Sequence, residues 1–159
     1  TFEHDRPHGN GVLRYPNGDV YDGEWKNGRK SGKGVLTCVS GDVYDGNWSD
    51  DQPEGMGKMR YSNGAVYKGN WANGLRQNYG VLKIKDYMRY EGMWSAGLRN
   101  GKGISSYIDG SQYVGSWANG LREGNGVYSS VHGKYEGDWL EDAMEGKGRF
   151  EFVNGNVYE

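Results

Sequence analysis

Cysteine is all but missing from this 159-residue chain, proline occurs three times, and neither sign of charge prevails. The lone Cys38 excludes an internal disulfide framework. With no secretory leader in the sequence, it gives the expectation of a reducing, intracellular setting. Nineteen basic against twenty-one acidic residues leave a net charge of −2, so the chain as a whole has no attraction for nucleic acid, and no nucleic-acid partner is expected. No run approaches the roughly 18 apolar residues that a membrane-spanning helix needs. Only 35% of the residues are hydrophobic, which argues against a thick core.

What the chain has instead is glycine, 29 residues of it, and aromatics in a fixed frame. Tyr-x-Gly-x-Trp begins at Tyr21, Tyr44, Tyr67, Tyr90, Tyr113 and Tyr135, and a further copy opens at Tyr158. The spacing is 23 residues throughout, except for 22 between Tyr113 and Tyr135, so the chain reads as one tandem array over residues 1–159. Thr1-Phe2 falls where a motif should end, and Val157-Tyr158-Glu159 where the next should begin. The array is therefore expected to be a segment cut mid-motif at both ends, without capping units.

Between motifs the frame repeats in detail. The residue three after each motif-ending aromatic is Asp5, Gly28, Asp51, Gly74, Gly97, Gly120 or Asp142, types that accept positive φ. A Gly-x-Gly follows, as at Gly32/Gly34 and Gly101/Gly103, with Asn78 replacing the first glycine before Gly80. Short β-prone runs come next, then Asn17-Gly18, Asn63-Gly64, Asp109-Gly110 and Asn154-Gly155, which are strong hairpin signals. Each unit reads as strand, tight turn, strand, loop. The expected fold is all-β: an elongated, single-layer antiparallel meander of about seven stacked hairpins.

Alternation along a strand puts Tyr, Gly and Trp of each motif on one face. Leu13 and Tyr15, Leu36 and Cys38, Met59 and Tyr61 are expected to face them. The central glycine leaves room for a neighbouring ring against the backbone. The opposite face, with Arg14, Asp22, Asp45, Lys68, Glu91 and Glu136, reads as mostly solvated, interrupted near the N-terminus by Val12, Val20, Val35 and Val43.

The pattern Tyr-x-Gly-x-Trp-x-x-Gly-x-x-x-Gly-x-Gly, as in Tyr21 to Gly34 and Tyr90 to Gly103, resembles the MORN repeat, the membrane occupation and recognition nexus motif. The resemblance covers essentially the whole chain and implies a stack of hairpins. An array without appended catalytic sequence is most similar to the cytoskeletal scaffold members, some of which form dimers. Asp51, Asp142, Asn78, the shortening near His132-Gly133 and the missing turn glycine at Tyr87 depart from the pattern. The stretch from Lys85 to Met88 is expected to vary the sheet.

Reaction chemistry finds no foothold in this sequence. Ser31-Gly32-Lys33-Gly34 and Asn100-Gly101-Lys102-Gly103 lack the P-loop spacing and precede strands. His4, Asp5 and His8 lack a fourth metal ligand, and Cys38 occupies an apolar strand position. No enzyme, metal or cofactor is expected. A single sheet normally covers its apolar face with another layer, so the aromatics Tyr21, Trp25, Tyr44, Trp48, Tyr67, Trp71, Tyr90, Trp94, Tyr113, Trp117, Tyr135 and Trp139 are read as both core and protein-binding groove. The expected occupants are a second copy, making a homodimer, or a helical segment of another protein. The alternative is a membrane-peripheral module holding phosphoinositides through Arg29, Lys30, Lys33, Arg76, Arg99 and Arg122, or a targeting module of a larger enzyme.

Overall fold

The structure, a computed structural model, describes Phe2, Glu3 and residues 6–159, so the expectations placed on His4 and Asp5 lie outside the described residues. Every regular element among them is a strand. By backbone contacts the chain divides into a first compact unit ending at Asn78 and a second beginning at Tyr79. The first holds a short hairpin, β1 (Phe2–Glu3) with β2 (Arg6–Pro7), followed by β3 (Gly9–Arg14), β4 (Val20–Lys26), β5 (Arg29–Thr37), β6 (Val43–Ser49), β7 (Gln52–Arg60) and β8 (Val66–Ala72). Strand β9 (Leu75–Ile84) runs through the boundary. The second unit continues with β10 (Met88–Ser95), β11 (Leu98–Tyr107), β12 (Gln112–Ala118), β13 (Leu121–Ser130), β14 (Gly133–Leu140), β15 (Ala143–Phe152) and β16 (Val157–Tyr158). Within each unit successive strands pair antiparallel in chain order, the hairpin meander that the repeat implies.

The turns differ in kind from the sequence reading. The two-residue turns lie where a loop was expected, just after each Trp: Asn27 and Gly28, between β4 and β5, both have positive φ, at 52° and 82°. That is the handedness a two-residue hairpin needs to match strand twist. At Asn17-Gly18 only the glycine is left-handed, at 96°. There the Gly18 N–H donates to the Tyr15 carbonyl at 2.9 Å and the Tyr15 N–H to the Asp19 carbonyl at 2.8 Å, a turn closed by a bulge. Asn17 acts through its side chain instead, its Oδ1 accepting the Asp19 N–H at 3.0 Å. Around Tyr87 the left-handed role passes to Asp86, at 55°.

A second irregularity recurs at each motif centre. Gly92 partners Gly103 and Trp94 partners Arg99, so β11 carries two more residues than β10 over that interval. The first glycine of Gly-x-Gly absorbs the bulge: Gly101 has φ of 90°. Asn78, which replaces that glycine, takes the same hand at 53°, as asparagine tolerates. The second glycine lies in regular pairing, and in the second unit Gly92, Gly103, Gly115, Gly126, Gly137 and Gly148 partner one another in series.

Candidate binding surface

The Tyr and Trp of each motif project to one face and fill it. All twelve are buried, none more than 7% exposed. In the second unit the Tyr113 ring meets Trp117 and Trp139 edge to face, at 5.1 Å in both cases. In the first, Tyr44 meets Trp48 at 5.1 Å and Trp71 at 5.3 Å in the same way. Every ladder ring except Trp117, whose buried Nε1 has no partner among the described residues, satisfies its polar atom with a nearby backbone carbonyl. The Tyr113 hydroxyl donates to the Ser116 carbonyl at 2.9 Å, and Trp139 Nε1 to the Gly126 carbonyl at 3.2 Å. Burial pushes the Tyr90 and Tyr113 hydroxyls up to about 12, and those of Tyr21 and Tyr44 up as well.

The ring that lies against a motif glycine belongs to the same motif and not to a neighbour. Tyr90 folds over Gly92 and the paired Gly103, where an added Cβ would overlap its ring. Leu13, Leu36 and Met59 stand opposite Tyr21, Tyr44 and Tyr67, as alternation predicts. The face is thus closed by its own side chains. Along the Tyr-Trp ladder it offers no open aromatic groove, because each ring is already enclosed by its own glycines and by adjacent rings. At the C-terminal end a pocket of about 650 Å³ opens beside Tyr135, lined by Met144, Phe150, Phe152 and Tyr158.

The basic residues of the candidate lipid set divide. Lys30, Arg76, Arg99 and Arg122 share one repeat position, and each sits over ladder rings. The Arg99 guanidinium lies 4.1 Å from the Trp117 centroid and that of Arg122 lies 4.2 Å from Trp139. Lys30 Nζ is 5.0 Å from Trp48, and Arg76 is 5.6 Å from Tyr67. Arg99 Nη2 donates to the Gly120 carbonyl at 2.7 Å; Arg122 Nε donates to Asp142 Oδ1 at 3.0 Å. Burial lowers the Arg99 pKa. These cations are therefore turned onto the protein's own rings. Arg29 and Lys33 are exposed, and Arg29 pairs with Asp50 at 3.2 Å.

The other face of the second unit carries what the sequence reading did not anticipate, an open apolar groove of about 730 Å³. Its floor is the glycine series, bare because the tyrosines occupy the far side. One wall is Ile104, Val114 and Val127, consecutive cross-strand partners flanked by Glu91 and Glu136. The opposite wall includes Tyr79, Met93, Lys102 and Asn125. In the first unit the row matching Ile104–Val114–Val127 is Val12, Asp22, Val35, Asp45, Lys58 and Lys68, too charged for an apolar seat. Val114 was the available signal, since it is the one apolar residue at the second position of Tyr-x-Gly, where Asp22, Asp45, Lys68, Glu91 and Glu136 stand elsewhere.

Cys38 is half-buried at the start of a turn, and burial pushes its thiol pKa up, away from a reactive thiolate. Among the described residues no group of three or more His, Cys, Asp and Glu gathers at metal-binding distance.

No curated protein matches the chain. Among solved structures it is similar to the TCP domain of Drosophila melanogaster SAS-4 (dCPAP), determined in complex with a proline-rich motif of Ana2 (dSTIL). That likeness has a TM-score of 0.54 at 11% identity, over 94% of this chain and 82% of that one. The TCP10c domain of Drosophila melanogaster Sas-4 matches with a TM-score of 0.49 at 10% identity, over 94% and 90% of the two chains. Identities this low speak to the fold alone. The family model of the MORN repeat, by contrast, matches the sequence at residues 1–20, 21–43, 44–66, 67–89, 90–112, 113–133 and 135–157. With the motif, the hairpin frame and these seven matches in agreement, the chain belongs to the MORN repeat family.

Proposed function

We propose that the chain is a non-catalytic scaffold that holds an extended segment of a partner protein, seated in the groove of the second unit. The observation that carries this reading is the continuous row Ile104–Val114–Val127 standing open beside a floor of backbone. Val114 is 43% exposed and Ile104 37%, on strands whose other face is fully packed. An apolar row of this kind is a recognition surface more often than ornament on a polar sheet. The Drosophila domain of similar fold was determined holding a proline-rich motif, which supports peptide presentation by such a sheet. The aromatic ladder serves the proposal by keeping the sheet rigid.

Self-association and a cytoskeletal setting belong to the same proposal. They are supported by the family resemblance and by Val12, 59% exposed on β3 at the edge of the first unit's sheet. The phosphoinositide reading has less support, because Arg99 and Arg122 are engaged with rings and carbonyls.

The test is selection of displayed random peptides on the chain, with counter-selection on Ile104→Asp/Val114→Asp, after circular dichroism has shown that the double variant keeps its fold. Binders lost on the double variant support the groove. A selection that yields only peptides indifferent to both substitutions overturns it. Sedimentation across a range of concentrations decides the self-association part, which a monomer at the highest concentration would remove.

A further inference from the structure

Resting on the reading of the groove as a peptide seat, we propose that its occupant is a polyproline II segment with proline recurring at every third residue. The argument is one of matched periods. The groove runs across the strands, which lie ~4.8 Å apart, so the second unit repeats its features every two strands, or about 9.6 Å. A polyproline II helix rises about 3.1 Å per residue with three residues per turn, about 9.3 Å. Each turn of such a ligand therefore meets an equivalent hairpin. A β-strand, whose side chains return to one side every ~6.7 Å, falls out of step within one repeat.

The walls supply the chemistry that a polyproline II segment needs. Its carbonyls make no internal hydrogen bonds and must find donors. Tyr79, Lys102 and Asn125 hold the same place in successive repeats, one after each left-handed Asn or Gly, and all three line the groove. They recur at one hairpin's spacing: the Tyr79 hydroxyl already donates to Glu91, while the Lys102 ammonium, bonded to Ser116 Oγ at 2.7 Å, and the Asn125 amide, bonded to Asp138, keep further N–H groups for ligand carbonyls. Ile104, Val114 and Val127 oppose them and offer an apolar surface to pyrrolidine rings. Charge on the walls is largely neutralised: Arg89 pairs with Glu91, and Lys134 with Glu136 at 3.1 Å. An uncharged, proline-rich ligand fits this balance better than an acidic or a basic tail.

The experiment compares three labelled peptides of about nine residues and one composition: proline at every third position, proline scrambled out of that period, and a helix-favouring order. Fluorescence anisotropy gives the affinity for the full chain, and amide chemical shifts of Gly103, Ile104, Val114 and Val127 locate the binding. The in-period peptide is expected to shift those amides and to bind about tenfold more tightly than the scrambled one, since its conformation is already ordered. Val114→Asp should abolish both effects. Equal affinities for in-period and scrambled peptides, with the groove amides shifted, would overturn the polyproline inference and leave the peptide seat standing. If no peptide, the helix-favouring one included, shifts those amides, both ideas fall.

Discussion

The Tyr90 ring fills the space that a Cβ on Gly103 of the neighbouring strand would take, and its hydroxyl donates to the Met93 carbonyl at 2.9 Å. The contact ties three things together: the glycine at the end of Gly-x-Gly, the tyrosine that opens the motif, and the turn beyond. A Cβ on Gly103 would come within 2.6 Å of the ring. Gly103→Ala is therefore expected to cost about 1 to 3 kcal/mol, the usual range for overpacking a filled site. A urea titration reads it, and a midpoint equal to wild type would refute the placement.

Arg99 and Arg29 carry the same charge and have opposite fates. Arg99 stacks 4.1 Å from the Trp117 centroid, whereas Arg29 meets Asp50 across an exposed pair, 62% and 77% accessible. Arg99→Ala is expected to cost about 2 kcal/mol, in the range of a desolvated cation on an aromatic face. Arg29→Ala should cost less than about 1 kcal/mol. Thermal denaturation of the two variants side by side checks the contrast, and equal losses would contradict it. The same contrast bears on lipid assays. Weaker vesicle binding by an Arg99 variant counts as lipid recognition only if the variant remains folded.

Alkaline pH should unfold the ladder. Burial raises the Tyr90 and Tyr113 hydroxyls to about 12, from the ordinary value of 10.0. The unfolded chain gives up these protons more readily than the folded one. Their contribution to stability is thus fully present below pH ~10 and is lost as pH rises towards about 12. A spectrophotometric titration should show tyrosinate appearing cooperatively in that window, together with loss of near-ultraviolet circular dichroism. Gradual ionisation with the dichroism unchanged would mean that the rings are accessible.

Ser105 occupies the strand position that Leu36 and Met59 fill in the first unit, opposite Tyr90 and Tyr113. It is fully buried, and its Oγ has no hydrogen-bond partner. Removing a buried hydroxyl without a partner removes its desolvation cost. Ser105→Ala is expected to raise stability by about 1 kcal/mol, seen as a higher melting temperature. A lower one would show that the hydroxyl is satisfied.

The hairpin frame, the aromatic core and the left-handed positions were legible because each follows from local chemistry: alternation, glycine and a fixed period. The turn types were less so. Asn27-Gly28 and Asn17-Gly18 are the same dipeptide, yet only the first has both residues at positive φ, because the loop length around each differs. The role of the basic residues was hidden for another reason. Nothing local to Arg99 or Arg122 shows that a tryptophan from the following motif lies beneath each guanidinium. The groove was missed because its wall joins Ile104, Val114 and Val127 from three strands, and no single segment displays that row.

The glycines shared by both faces have a consequence for how such a surface can change. Gly103, Gly115 and Gly126 form the base of the groove and also lie beneath Tyr90 or Tyr113 on the far side. A side chain added to that base would damage the protein before it altered any ligand preference. Residues such as Val114 and Asn125 carry no such double duty. New specificities can therefore arise only along the margins, one repeat at a time, over a foundation that stays fixed.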